Sequence, residues 1–290
     1  MLSNFLNIKP KEFATILLRL ALIIFSLFLF WFLKTPLIER IQSKTISSTN
    51  PPDFFMYYSG GYIIDDFGLK GIYTKENQRF SQQRLLKENQ LLKEGEKMEG
   101  VLAFRIPPLT ALLYKPLSSL SYSQAYTVML LFNLFLLLTF LVLVTIFILP
   151  KKTDIIKVFL LLPFFIPLWE TLYTGQITYV LLLIILVSYI ALKKELFVIS
   201  GLILGLLSLK PNFLLLPILA VAVYWKSAKK SRLILGIMFS LLFVLFVSIL
   251  LYGPTFPFDY AHFLSTSESS QYGTLISMNY NITSILGLFI

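Results

Sequence analysis

The 290-residue chain has no cysteine and one histidine, His262. The missing thiols exclude disulfides, thiolate catalysis and cysteine-ligated metal, and say nothing of compartment. A lone imidazole excludes a multi-histidine zinc centre. Charge is scarce too: Asp, Glu, Lys and Arg make up 14% of the residues against 57% hydrophobic ones, and the mean hydropathy is +0.78. A soluble domain of this length needs far more charged surface, so the composition describes an integral membrane protein. Function is then written in the polar minority.

The net charge of +10 invites a nucleic-acid reading, but the basic residues punctuate apolar runs instead. They fall at Lys9, Lys11 and Arg19, at Lys151, Lys152 and Lys157, at Lys193 and Lys194, and at Lys226, Lys229, Lys230 and Arg232. Counting the runs between them puts all these groups on one side, cytoplasmic by the positive-inside rule, and no nucleic-acid partner is expected. The predicted spans are Phe13–Phe32, Ala125–Leu149, Ile156–Tyr173, Ile177–Leu192, Leu196–Leu209, Phe213–Trp225 and Leu233–Tyr252. Several are short, and those holding Pro163, Pro167 or Pro217 persist where neighbouring helices satisfy the loosened backbone. No small-residue cleavage site follows the first span, which reads as a retained helix. An eighth begins near Asn281 and is cut off at Ile290, so C-terminal helices are expected to be missing. The expectation is one all-α polytopic bundle over 1–290, with outer segments at 34–123 and 253–280.

The polar candidates gather on the outer face. Asp53 opens a stretch with Phe54, Phe55, Tyr57, Tyr58 and the pair Gly60-Gly61. A carboxylate there is desolvated enough to act as a base and open enough to meet a polar substrate. From Thr74 to Gly100, Leu85, Leu86, Leu91 and Leu92 are interspersed with polar residues, which predicts an interfacial amphipathic helix. Pro107 and Pro108 stop any preceding helix. The apolar turn after them, holding Lys115, is too short to span and predicts a re-entrant or surface-lying helix.

Further polar groups sit at helix ends: Glu170 with Gly175-Gln176, Lys210-Pro211-Asn212, and Asp259 with His262. A charge at a membrane-helix centre costs on the order of 2.5 to 3.5 kcal/mol, so something must offset it. For Glu170 and Lys210 an ion pair or snorkelling stands beside a functional role. For His262 the plain reading, a partly exposed loop residue, is the stronger. Asp65 and Asp66 read as a hydrated turn, with an ion shared with Asp53 left open.

The order Asp-Phe-x-x-Tyr-Tyr from Asp53, Gly68 to Tyr73, Phe-x-x-Pro-Pro-Leu from Phe104 with a later Pro-Leu and Ala-Tyr, Gly175-Gln176, Gly201 to Gly205 and Lys210-Pro211 resembles glycosyltransferase family 87. The resemblance runs from about Asp53 to Ile290. That family includes polyprenol-phosphate-mannose-dependent mannosyltransferases, and the resemblance implies a C-type glycosyltransferase fold, a lipid-linked donor and Asp53 as catalytic base. Ile106 stands where Tyr is usual, and the insert before Phe104 is longer than usual; both bear on the acceptor more than on the chemistry.

A polyprenyl phosphate is already a good leaving group, so one base and cationic support suffice. Arg105, Lys210 and His262 are the expected phosphate ligands. Tyr57, Tyr58, Tyr73, Gln176 and Glu170 are expected at the sugar or acceptor, although tyrosines at this depth also form the interfacial belt. The expected partners are a polyprenyl-phosphate sugar donor, a glycolipid or glycan acceptor and membrane lipid, with no cofactor and no metal. The expected location is the cell membrane, with many passes and the site on the extracytoplasmic face. A transporter or flippase of a lipid-linked substrate is the alternative, but it favours charges at the midplane between pseudo-symmetric halves. A non-catalytic scaffold is the third, and it predicts that Asp53 can be changed freely.

Overall fold

The computed structural model describes residues 53–90, 101–149, 171–172 and 174–267, which are helical apart from turns and one extended segment. The first and eighth predicted spans, most of the third, Glu170, Leu91, Leu92, Pro163, Pro167 and the basic groups before Lys193 from Lys9 to Arg19 and Lys151 to Lys157 lie outside these residues, as does the whole of 268–280.

The first part of the fold is a small helical cap. It consists of α1 (Asp53–Phe67), α2 (Lys75–Glu88) and the short α3 (Pro108–Tyr114), which tightens into a 3-10 turn at Lys115–Ser119. Two consecutive glycines cost a helix roughly 1 kcal/mol each relative to alanine. Packing explains them in α1. A Cβ on Gly60 would lie 2.6 Å from the Phe104 ring, and one on Gly61 would lie 3.1 Å from the carbonyl oxygen of Tyr114. The pair lets α1 settle directly on the extended segment and on α3.

The structure corrects the expected lipid-facing role of α2. Leu85 and Leu86 turn inward and join the core around α1, on the same face as buried Gln78, Ser81 and Gln82. The glutamines explain this orientation. Residues 101–106 run extended, and a buried extended chain must find partners for its backbone groups. Gln82 Nε2 donates to the Leu102 carbonyl at 2.7 Å, and the Leu102 N–H donates back to Gln82 Oε1 at 3.0 Å. Four residues earlier, Gln78 Oε1 accepts from the Phe104 N–H at 3.1 Å while its Nε2 donates to the Ile72 carbonyl at 2.7 Å. The match is geometric, because four helical residues rise about 6 Å and two extended residues about 6.7 Å. Two side-chain amides thus do what a neighbouring strand would do.

The second part is apolar and helical: α4 (Tyr122–Phe147), α5 (Thr178–Lys193), α6 (Phe197–Gly205) continued by a 3-10 turn to Leu209, α7 (Leu215–Val223), α8 (Lys230–Tyr252) and α9 (Phe256–Thr266). The five predicted spans that fall here lie within three residues of these elements. The start of α4 moves from Ala125 to Tyr122 because Ser121 and Gln124 form a capping box, and Asn89 Oδ1 accepts from the Tyr122 N–H at 2.8 Å.

α4 and α8 are long and apolar enough to cross a membrane. Only 22% and 33% of their central windows are buried, which a soluble core helix of this hydropathy would not tolerate. Leu131, Phe135 and Leu138 on α4 and Phe239, Phe243 and Phe246 on α8 face outward. α6 meets α8 along small residues: a Cβ on Gly201 would strike the Leu233 carbonyl, one on Gly205 the Ser240 side chain, and one on Gly236 the Val198 carbonyl. The spacing of Gly201 and Gly205 against Gly236 and Ser240 is the small-xxx-small seam of membrane helices. Ser188 and Ser200 link α5 to α6 through their hydroxyls at 2.7 Å.

Gln82→Leu, which removes both side-chain partners of the half-buried Leu102 backbone, is expected to destabilise the protein by about 1–3 kcal/mol. Thermal unfolding in detergent checks this, with exposed Gln83→Leu as the control. A melting temperature equal to the control's would contradict the pairing.

Candidate functional site

The site begins with the residue after Asp53. Phe54 is fully buried and its ring meets those of Tyr58, Tyr114, Tyr122 and Tyr126, at centroid distances of 5.6, 6.4, 5.4 and 5.4 Å. Such a hub fixes the first turn of α1. It leaves Asp53 exposed at the helix N-terminus, where unpaired N–H groups favour a negative charge. The chain entering α5 presses on the same turn. Gly175 has φ +66°, and a Cβ there would lie 2.8 Å from Phe54 Cβ, so both backbone conformation and space demand glycine.

That close approach brings Gln176 to Asp53. Its Nε2 donates to Asp53 Oδ2, while its Oε1 accepts from Lys210 Nζ at 2.8 Å and from the Thr178 hydroxyl at 3.1 Å. Two donors converge on the oxygen, which settles the orientation of the amide. The carboxamide therefore spans an acid and a base. Two buried side chains hold the backbone around this bridge. Asn133 Nδ2, from α4, donates to the Gln176 carbonyl at 3.1 Å, and the Thr110 hydroxyl, from α3, donates at 3.0 Å to the Leu209 carbonyl just before Lys210.

Electrostatics define the ionic states. Lys210 is half-buried in the connection between α6 and α7. Desolvation pulls its ammonium below the ordinary lysine value, while the charge of Asp53 pulls the other way. Tyr57 stacks on Tyr114 with centroids 5.0 Å apart and planes 13° from parallel. Burial raises both phenols well above the usual tyrosine value; Asp53 adds to the effect at Tyr57, and Tyr57 and Asp53 add to it at Tyr114. Both hydroxyls thus stay protonated beside the carboxylate, and that of Tyr114 is buried with no hydrogen-bond partner among the described residues.

The structure therefore brings together Asp53, Gln176, Lys210 and Tyr57 from the expected set. Other members sit elsewhere. Tyr58 donates to the Leu120 carbonyl at 2.5 Å, and Tyr73 donates to the Ile106 carbonyl at 3.0 Å within a second aromatic group of Tyr252, Tyr260 and Phe263. Arg105 donates through Nη2 to the Ser267 carbonyl, and its own carbonyl accepts from Tyr260 at 3.1 Å, so it fastens α9 to the extended segment. His262 is exposed on α9. The described partner of Lys210 is Gln176, whereas Glu170 is among the residues not described.

Asp65 and Asp66 are twelve and thirteen positions from Asp53 on one helix, about 18 to 20 Å along its axis, too far to share an ion with it. Asp65 instead accepts from Ser118 at 2.6 Å and lies 3.7 Å from Lys115 Nζ. Asp66 accepts from Ser81 at 2.6 Å and pairs with Arg84. Acidic residues in the last turn oppose the helix dipole, and these partners offset that cost.

Sequence reasoning missed Asn133, Thr110, Thr178 and Tyr114. For Asn133 a signal existed, since a lone amide inside an apolar run has to be satisfied by something.

Residues 104–290 match the sequence model of glycosyltransferase family 87. The matched segment contains Arg105, Gln176, Lys210 and His262 but starts after Asp53, a narrower reach than the sequence motifs suggested. No curated protein and no solved structure matches the chain.

The amine of Lys210 is expected to acylate at lower pH than an ordinary lysine amine, because desolvation favours its neutral form. Asp53→Asn should move its midpoint lower still, since the carboxylate that favoured the ammonium is gone. Pulsed acylation across a pH series, read by peptide mass spectrometry, measures both. An upward move in Asp53→Asn would refute the coupling.

Proposed function

Because the chain belongs to glycosyltransferase family 87, we propose that it is a membrane-embedded inverting transferase that moves a sugar, mannose foremost, from a polyprenyl-phosphate donor to a hydroxyl acceptor on the extracytoplasmic face. One observation carries the reading: an exposed carboxylate joined through a single amide to a half-buried ammonium. The pair supplies a base for the nucleophile and a cation for the leaving group.

In this mechanism the acceptor oxygen attacks the anomeric carbon from the side opposite the phosphate, and Asp53 takes the hydroxyl proton. The bond from the anomeric carbon to the phosphate oxygen breaks, and its electron pair leaves with the polyprenyl phosphate. Lys210 faces the charge that grows there. Attack opposite the departing bond inverts the configuration. A general acid is unnecessary, because a phosphate leaves without being protonated. Gln176 holds base and cation at a fixed separation, and Tyr57 stacked on Tyr114 forms the floor beside the base. Tyr58 and Tyr73, with hydroxyls committed to backbone carbonyls, serve the scaffold. Arg105 and His262 remain proposed phosphate contacts from the α9 side.

The same geometry supports the orientation. Lys229 Nζ lies 2.6 Å from Glu195 Oε1, so the loop between α5 and α6 shares a face with the loop between α7 and α8. Lys193, Lys194, Lys226, Lys230 and Arg232 cluster in and beside these loops. Gln176 and Lys210 lie at the other ends of α5 and α6, and the sixteen residues of α5 separate the two levels by about 24 Å. Positive charge on the cytoplasmic side puts Asp53 outside. On this reading the chain is a single multi-pass domain of C-type architecture over 1–290, with residues 34–123 as an outer catalytic loop and 253–280 as a second.

The test uses purified protein in liposomes, a radiolabelled polyprenyl-phosphate mannose and a panel of glycolipid acceptors. Asp53→Asn is expected to lower product formation by about 10²- to 10⁴-fold, the usual contribution of a positioned base. Transfer undiminished by the substitution would remove Asp53 from that role. Donor movement across the bilayer with no product would favour the transporter.

A further inference from the structure

Asn133 is a polar side chain with no exposed surface, set in a helix whose other face is turned to lipid. Its amide is only half used. Nδ2 donates to the Gln176 carbonyl at 3.1 Å, but Oδ1 is buried without a hydrogen-bond partner among the described residues. An unpaired buried acceptor is a cost that an apolar residue of the same size would not incur. Stability alone therefore does not account for asparagine here.

What the amide holds does account for it. The Gln176 carbonyl sits one residue after the left-handed Gly175, in a turn that is not yet part of α5. Nothing in a helical ladder fixes that peptide, and Asn133 is its described anchor. The Gln176 side chain leaves the same residue to reach Asp53, Lys210 and Thr178.

We propose that Asn133 is a positioning residue for the transfer reaction: by pinning the Gln176 main chain it sets the register of the amide that holds Asp53 and Lys210 in place. The inference rests on the reading of Asp53, Gln176 and Lys210 as the reacting site. It adds that α4, which contributes no reacting group, controls their alignment. A misplacement on the order of 1 Å in such a site costs up to about 10²-fold in rate.

The test is a double-mutant cycle in the mannose-transfer assay. Asn133→Leu is expected to lower kcat by at least tenfold with little change in KM for the donor, and to keep a melting temperature near the wild-type value because the unpaired oxygen goes with the amide. In a Gln176→Ala background the same substitution should cost less than twofold, since the side chain it positions is absent. Should Asn133→Leu fail to fold, Asn133→Ser, smaller and still polar, enters the same cycle. Wild-type kcat in the single variant, or losses that simply multiply in the double variant, would overturn the proposal. Asp53→Asn is run in parallel: if it transfers normally, the site reading itself is wrong. If it is inactive while Asn133→Leu is fully active, the positioning role alone fails.

Discussion

The contact between Gly175 and Phe54 is the constraint from which the rest of the site follows. On one side is the most enclosed ring of an aromatic cluster, held by four tyrosines. On the other is a backbone that only glycine can bring so near. Each large apolar side chain buried in that cluster contributes about 1.5–3 kcal/mol, so the ring does not yield. The strand of chain before α5 must therefore approach at a fixed height, and that height brings Gln176 level with Asp53. A side chain added at position 175 would push the two apart by its own width and open the bridge to Lys210.

The hydrogen bonding of the fold shows where it tolerates expense. In the cap, Gln82 pairs its amide with the Leu102 backbone, Gln78 divides its own between the Phe104 N–H and the Ile72 carbonyl, and Asp65 and Asp66 find partners on either side of α1. Around the bridge the pattern is different. Tyr114 Oη, Asn133 Oδ1 and, two residues before Lys210, Ser208 Oγ are buried without hydrogen-bond partners among the described residues. Each such atom costs about 1–3 kcal/mol. The buried Nε atoms of Arg84 and Arg105 also lack a hydrogen-bond partner among the described residues, so such costs are not confined to the bridge.

How far all this could be read from the sequence depended on the kind of signal. Five apolar helices were legible at the predicted positions, since apolar runs punctuated by lysines leave little choice, and the glycines of Gly201 to Gly205 proved to be the seam with α8. Gln176 and Lys210 were legible as polar residues at the mouths of apolar helices. The α2 leucines were misjudged because a mixed polar and apolar face fits a lipid interface as well as a protein one; only the location of residues 101–106 tells them apart, and that is a tertiary fact. The contact that Arg105 makes within the fold was not legible. Its partner is the Ser267 carbonyl, 162 residues away in sequence. Asn133 and Thr110 act on backbone carbonyls, which carry no residue identity for a pattern to find.

An amide between Asp53 and Lys210, in place of direct contact, has a consequence for the proposed chemistry. A carboxylate and an ammonium in contact at low dielectric largely neutralise each other, leaving a weak base and a cation unwilling to turn to a new anion. Glutamine carries no charge and offers a donor to one and an acceptor to the other, so each keeps its ionic state while holding its place. Lys210 gives up to Gln176 only a hydrogen bond to an uncharged oxygen, which an arriving phosphate can replace with one between opposite charges. Desolvation of the lysine works in the same direction, since an ammonium short of water gains most from an anion. Engagement of the donor phosphate would then release one acceptor position on Gln176 at the moment when the acceptor hydroxyl must find Asp53, coupling the arrival of one substrate to the geometry offered to the other.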